Sequence, residues 1–165
     1  MKKLFLVLAI NYLALSCDRI NPKTEPFYCK INGKKFIPET DNSPFGGIGS
    51  SPLKISRDLQ YGWLYIEALN RPQSVSISIK LDANEVISVK EYILSNDIKT
   101  STGSYYYDIL ASSKDRERLL SSTGKINITK IEGKKIWGTF EFKTKSTKIN
   151  QEFDITDGRI NGISY

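Results

Sequence analysis

At 165 residues the chain has the length of one domain, and 24 lysines and arginines against 18 acids leave it net basic at +6. It holds no histidine and two cysteines, which excludes Ser-His-Asp and Cys-His catalysis, histidine bases, His-containing zinc sites and a zinc centre of four thiolates. The basic residues are scattered, with small clusters at Lys34-Lys35, Lys134-Lys135 and Lys143/Lys145/Lys148, and no basic stripe or fold signature points to nucleic acid.

The chain starts with Lys2-Lys3 and an apolar block from Leu4 to Leu15, interrupted at Asn11. As a helix this block reaches roughly 18 Å, short of a hydrocarbon core of ~30 Å, so residues 1–16 read as a removable secretory signal. Ala14-Leu15-Ser16-Cys17 resembles the lipobox of bacterial lipoproteins, in which the cysteine is acylated and becomes the new N-terminus. Ala14 and Leu15 stand where a leucine and a small residue are usual, and Ala14-x-Ser16 also satisfies an ordinary signal-peptidase site at the same bond. Lipidation accounts for a cysteine at this place, so Cys17 is the expected anchor and the membrane its partner. Acyl chains at about 0.8 kcal/mol per buried methylene hold a domain firmly. Residues 17–26, with Pro22 and Pro26, form the lipidated cysteine and a short tether, and 27–165 the domain.

From Phe27 onward the pattern is period-two alternation. Phe27, Cys29 and Ile31 alternate with Tyr28 and Lys30, and Asn32-Gly33 before Lys34-Lys35-Phe36 predicts a hairpin with a type I′ turn. Cys29 reads as a small buried hydrophobe. Pro38 to Pro52, rich in Gly, Ser, Asn and Pro, predicts a loop; its glycines lack phosphate-loop spacing. Leu53–Ser56 is a short strand. In Tyr61–Leu69, Leu64, Ile66 and Ala68 take one face and Trp63, Tyr65 and Glu67 the other. After a turn at Arg71-Pro72-Gln73, Val75, Ile77, Ile79 and Leu81 alternate with serines and Lys80. Val86–Leu94 predicts a short strand or one helical turn, and Ser95–Ser104 a loop. Tyr105, Tyr107, Ile109 and Ala111 share one face of the next strand, and Ser112–Ser122 loops or makes a short helix. Strands follow around Ile126/Ile128, Ile136–Lys143 and Phe153–Tyr165, with a bulge at Gly158. The expectation is an all-β fold, a single antiparallel β-sandwich or β-barrel of about eight to ten short strands.

Phe27-x-Cys29-x-Ile31-Asn32-Gly33-Lys34, Gly124-x-Ile126-x-Ile128-Thr129, Gly138-Thr139-Phe140-x-Phe142 and Ile155-Thr156-Asp157-Gly158-Arg159, behind a Cys-terminated leader, resemble a family of small Bacteroidetes-type lipoproteins of unknown function. The resemblance implies a secreted, β-rich, lipid-anchored protein of the cell envelope at the outer membrane, and it carries no activity and no catalytic residues.

Asp157-Gly158-Arg159 with Asp154 has the atoms for a calcium site, but Asp157 capping its own turn is the simpler reading, and neither metal nor cofactor is expected. Glu141, Glu152, Asp154 and Asp157 supply carboxylates for a glycan-cleaving enzyme without a spacing that singles out a pair. The aromatics Trp63, Tyr65, Tyr105, Tyr106, Tyr107 and Trp137 include rings placed away from the apolar face, which suits a glycan or an envelope-protein partner. The alternative is that a closed or layered sheet buries them on both sides. The expected function is non-enzymatic binding of a ligand or partner at the envelope. A carboxylate-dependent glycan enzyme and a structural subunit of an outer-membrane complex are the alternatives.

Overall fold

In a computed structural model, residues 24–39, 51–82 and 85–165 are described. The leader, Cys17, most of the tether and most of the Pro38–Pro52 loop lie outside them. The described residues contain ten strands and no helix: β1 (Phe27–Ile31), β2 (Lys34–Phe36), β3 (Leu53–Asp58), β4 (Trp63–Asn70), β5 (Gln73–Lys80), β6 (Glu91–Leu94), β7 (Thr102–Tyr106), β8 (Leu119–Glu132), β9 (Lys135–Ser146) and β10 (Gln151–Ser164). All pair antiparallel in one curled, half-barrel sheet of order β2-β1-β10-β9-β8-β7-β5-β4-β3. β8 lies against β9 along its length, while its other edge carries β7 at Leu119-Leu120 and β6 at Gly124–Asn127.

The turns follow from local chemistry. Asn32 and Gly33 have φ of 49° and 78°, the two positive values a type I′ turn needs, and they join Ile31 to Lys34 as expected. Gly133 at φ 57° opens the two-residue turn that joins Glu132 to Lys135. Arg71-Pro72, a cis peptide, joins Asn70 to Gln73.

Alternation then sorts the side chains. Leu64, Ile66, Ala68, Val75, Ile77 and Ile79 are fully buried on the concave side, with Ile126, Ile128, Ile136 and Ile155 from the other half. Phe27 sits at the centre of an aromatic group, 5.1 Å from the Phe140 ring and 6.4 Å from Phe36. Cys29 is a free, buried cysteine within this core, and burial pushes its thiol pKa well up, as suits an inert hydrophobe.

Four details differ from the sequence reading. β7 begins at Thr102, inside the expected loop, and ends at Tyr106 rather than Ala111. Asp108 ends it: its carboxylate accepts from the backbone N–H groups of Leu110 and Ala111, replacing ladder bonds with a local turn. The charged stretch after it loops, and β8 starts earlier than expected, at Leu119. β8, β9 and β10 are long, at 14, 12 and 14 residues. The bulge between Ile155 and Gly158 is present, but the positive φ of 53° belongs to Asp157. Gly158 is required for a different reason, the close approach of Phe140.

Candidate functional site

The convex side of β4, β5 and β7 carries the residues that the core does not use. Register sets them in rows: Asp58, Trp63 and Lys80 in one; Ser56, Tyr65, Ser78 and Thr102 in the next; Lys54, Glu67, Ser76 and Ser104 in the third. The serines are the polar partners of Val75, Ile77 and Ile79 in the β5 alternation, so one strand supplies both a core stripe and a hydroxyl stripe.

Trp63 and Tyr65 project from the same face of β4, and their rings stack at 5.9 Å with 23° between planes. Lys80 places its ammonium 4.9 Å from the centre of the Trp63 ring and also donates to the Tyr61 carbonyl. Two adjoining hollows open here. One, of about 120 Å³, is lined by Trp63, Tyr65, Ser78, Ile98, Thr102 and Arg118. The other, of about 340 Å³, is bounded by Tyr65, Glu67, Ser76, Ser78, Tyr106 and Arg118. Burial raises the Tyr65 phenol pKa, Asp58 adds to the rise, and Arg118 opposes it. Ser74 Oγ and Ser104 Oγ, on this same face, are buried without a hydrogen-bond partner, a condition that costs about 1–3 kcal/mol for a hydroxyl.

The segment that delivers Arg118 is tied down by its neighbour. The Glu117 carboxylate accepts from the Ser146 hydroxyl and from both the N–H and the hydroxyl of Thr147. Burial raises its pKa, but these bonds outweigh that and leave the carboxyl below its ordinary value.

The six aromatics singled out from the sequence therefore separate. Trp63, Tyr65 and Tyr106 share the convex face: Trp63 stacks on Tyr65, while Tyr106 lies two rows from Tyr65, opposite Ser74, and lines only the larger hollow. Tyr105 does not join them: it is 1% exposed, its ring lies 4.9 Å from Phe153, and its hydroxyl accepts from Gln73. The inward phase of β7 puts it there, because its neighbour Gly103 faces the Phe142 ring. Tyr107 stacks on Phe153 at 6.1 Å. Trp137 lies on β9 beside Gly162, under the ammonium of Lys130 at 4.8 Å, away from the other two. Glu67, Ser76, Ser78, Thr102 and Arg118 were not picked out from sequence. The Ser74-x-Ser76-x-Ser78 repeat is a signal that could have found the serines; nothing in the local sequence marks Arg118.

The carboxylates lie on the convex side of β8, β9 and β10, where two open hollows of about 250 Å³ and 400 Å³ share Lys125 and Glu141. Lys30 holds Asp157 at 2.8 Å and Lys143 holds Asp154 at 3.3 Å. The Lys30 hydrogen bond and charge keep the Asp157 carboxyl below its ordinary pKa, opposite to what a general acid needs. Among the described residues no group of three or more metal-ligating side chains converges. Asp157 thus pairs across strands rather than capping its own turn.

The class these observations define is an all-β domain of one curled antiparallel sheet with a polar and aromatic convex face. Residues 54–164 match the family described as a domain of unknown function (DUF6252), and the chain belongs to that family. The match takes in the Gly124, Gly138 and Ile155 motifs, while the Phe27–Lys34 hairpin precedes it. No curated protein and no solved structure matches the chain.

Proposed function

We propose that the protein is a cell-envelope lipoprotein, anchored through acylated Cys17 in the outer membrane, whose β domain binds a glycan without cleaving it. The observation that carries the binding reading is the stacked Trp63–Tyr65 pair beside a floor of serine and threonine hydroxyls. Apolar sugar faces stack on aromatic rings, and sugar hydroxyls need closely spaced donors and acceptors. The anchor reading is supported by the basic and apolar leader that ends at Ser16-Cys17.

Two measurements test the two halves. The chain has two tryptophans, so in a Trp137→Phe variant the indole emission reports Trp63 alone. Titration with a panel of neutral and acidic oligosaccharides is expected to shift that emission, and Tyr65→Ala is expected to weaken binding about tenfold or more. An emission unmoved by every oligosaccharide sinks the glycan reading. For the anchor, cells fed an alkyne fatty acid are expected to label the wild-type protein and not Cys17→Ser; equal labelling of both overturns lipidation.

A further inference from the structure

We infer that the convex recess takes a saccharide bearing a carboxylate, with Arg118 pairing that group; this rests on the binding reading above. Arg118 lines both hollows, next to Tyr65 and Ser78. Among the described residues no carboxylate forms an ion pair with it. Its chain neighbour Glu117 is occupied on the other side by Ser146 and Thr147. Asp58, at the Trp63 end, accepts from the backbone N–H of Tyr61 at 3.0 Å. Lys80 is committed to the Trp63 ring and the Tyr61 carbonyl. The recess is thus left with a guanidinium at the junction of its two hollows, beside an aromatic ring.

A guanidinium is a planar fork of donors with no acceptor, and it matches a carboxylate through two parallel hydrogen bonds. A neutral sugar leaves most of that fork to water. A ring stacked on Tyr65 that carries a carboxylate at its edge satisfies the fork and the aromatic surface together. Glu67, one row away in the larger hollow and across from Lys54, is acceptor-only and suits ring hydroxyls as donors. Ser76 and Ser78 supply the remaining donors and acceptors. The ligand class is therefore an acidic sugar such as a uronic acid rather than a free anion, which has no face to stack.

The test uses a hexuronic-acid trisaccharide and the same trisaccharide with its carboxyls reduced to primary alcohols, each titrated into the wild-type chain and into Arg118→Gln. The acidic form is expected to bind wild type about tenfold more tightly than the reduced form. Arg118→Gln is expected to abolish that difference by weakening the acidic form about tenfold more than the reduced form, with near-ultraviolet circular dichroism checking the fold. Equal binding of both sugars to wild type, or a preference that survives in Arg118→Gln, overturns the acidic-sugar inference and leaves glycan binding standing. Failure of wild type to bind either sugar, together with an emission silent across the wider panel, overturns both.

Discussion

Gly158→Ala is expected to lower stability by about 3 kcal/mol, a large loss for the addition of one methyl group. A Cβ at Gly158 would stand 2.4 Å from the Phe140 carbonyl oxygen and 2.5 Å from its ring. Gly158 and Phe140 are direct partners across β10 and β9, so the oxygen cannot retreat without opening the ladder on both sides of a bulge. Gly124 repeats the arrangement against Phe142, where a Cβ would lie 2.3 Å from the phenylalanine Cβ and 2.6 Å from the Glu141 oxygen. In both places a glycine lets a β9 phenylalanine come close across the strand pair. Gly33 is the control: nothing lies within 4 Å of its Cβ position, and Gly33→Ala costs only the strain of φ 78°, about 1–2 kcal/mol. Urea denaturation of the three variants measures the contrast, and losses at Gly158 and Gly124 no larger than at Gly33 refute the steric account.

Phe27→Ala is expected to cost about 4 kcal/mol. Phe27 is fully buried and touches two aromatic partners, Phe140 from β9 and Phe36 from the edge strand β2. Its loss removes the transfer free energy of a phenyl ring and leaves a cavity walled by β-strands that cannot collapse without shifting register. It also loosens the hairpin of β1 and β2, which reaches the rest of the sheet only through pairing with β10. Phe27→Leu, which keeps most of the volume, is expected to cost about 1.5 kcal/mol or less. A midpoint shift in urea for Phe27→Ala no greater than that for Phe27→Leu means the aromatic cluster is not what holds the hairpin.

Much of the fold was legible before the structure. Asn32-Gly33 named its turn because two successive positive φ values suit few residue pairs. The alternation in Tyr61–Leu69 and Val75–Leu81 put each side chain on its observed face. What misled was local competition. The tyrosines after Tyr105 look like a continuing strand, but the Asp108 carboxylate captures the backbone N–H groups a strand would need. Thr102 and Gly103 look like loop, yet they pair with Ile77 and Ser78, and that pairing is supplied by a strand far away in the chain.

The candidate face divides along the same line. That Trp63 and Tyr65 share the side opposite the core, and that Tyr106 faces away from Tyr105, is written in period two. The absence of histidine and the apolar block from Leu4 to Leu15 ahead of Cys17 are likewise read from the sequence alone. That Tyr106 lines the same hollow as Tyr65 while Trp137 lies elsewhere depends on the strand order β7-β5-β4, set by long-range pairing. Arg118 reaches the junction of the two hollows between Glu117, held by Ser146 and Thr147, and Leu119, paired with Tyr105, partners that are all distant in the chain. The period of a strand fixes only which face a side chain takes. Its neighbours on that face are fixed by which distant segments bury their apolar sides together.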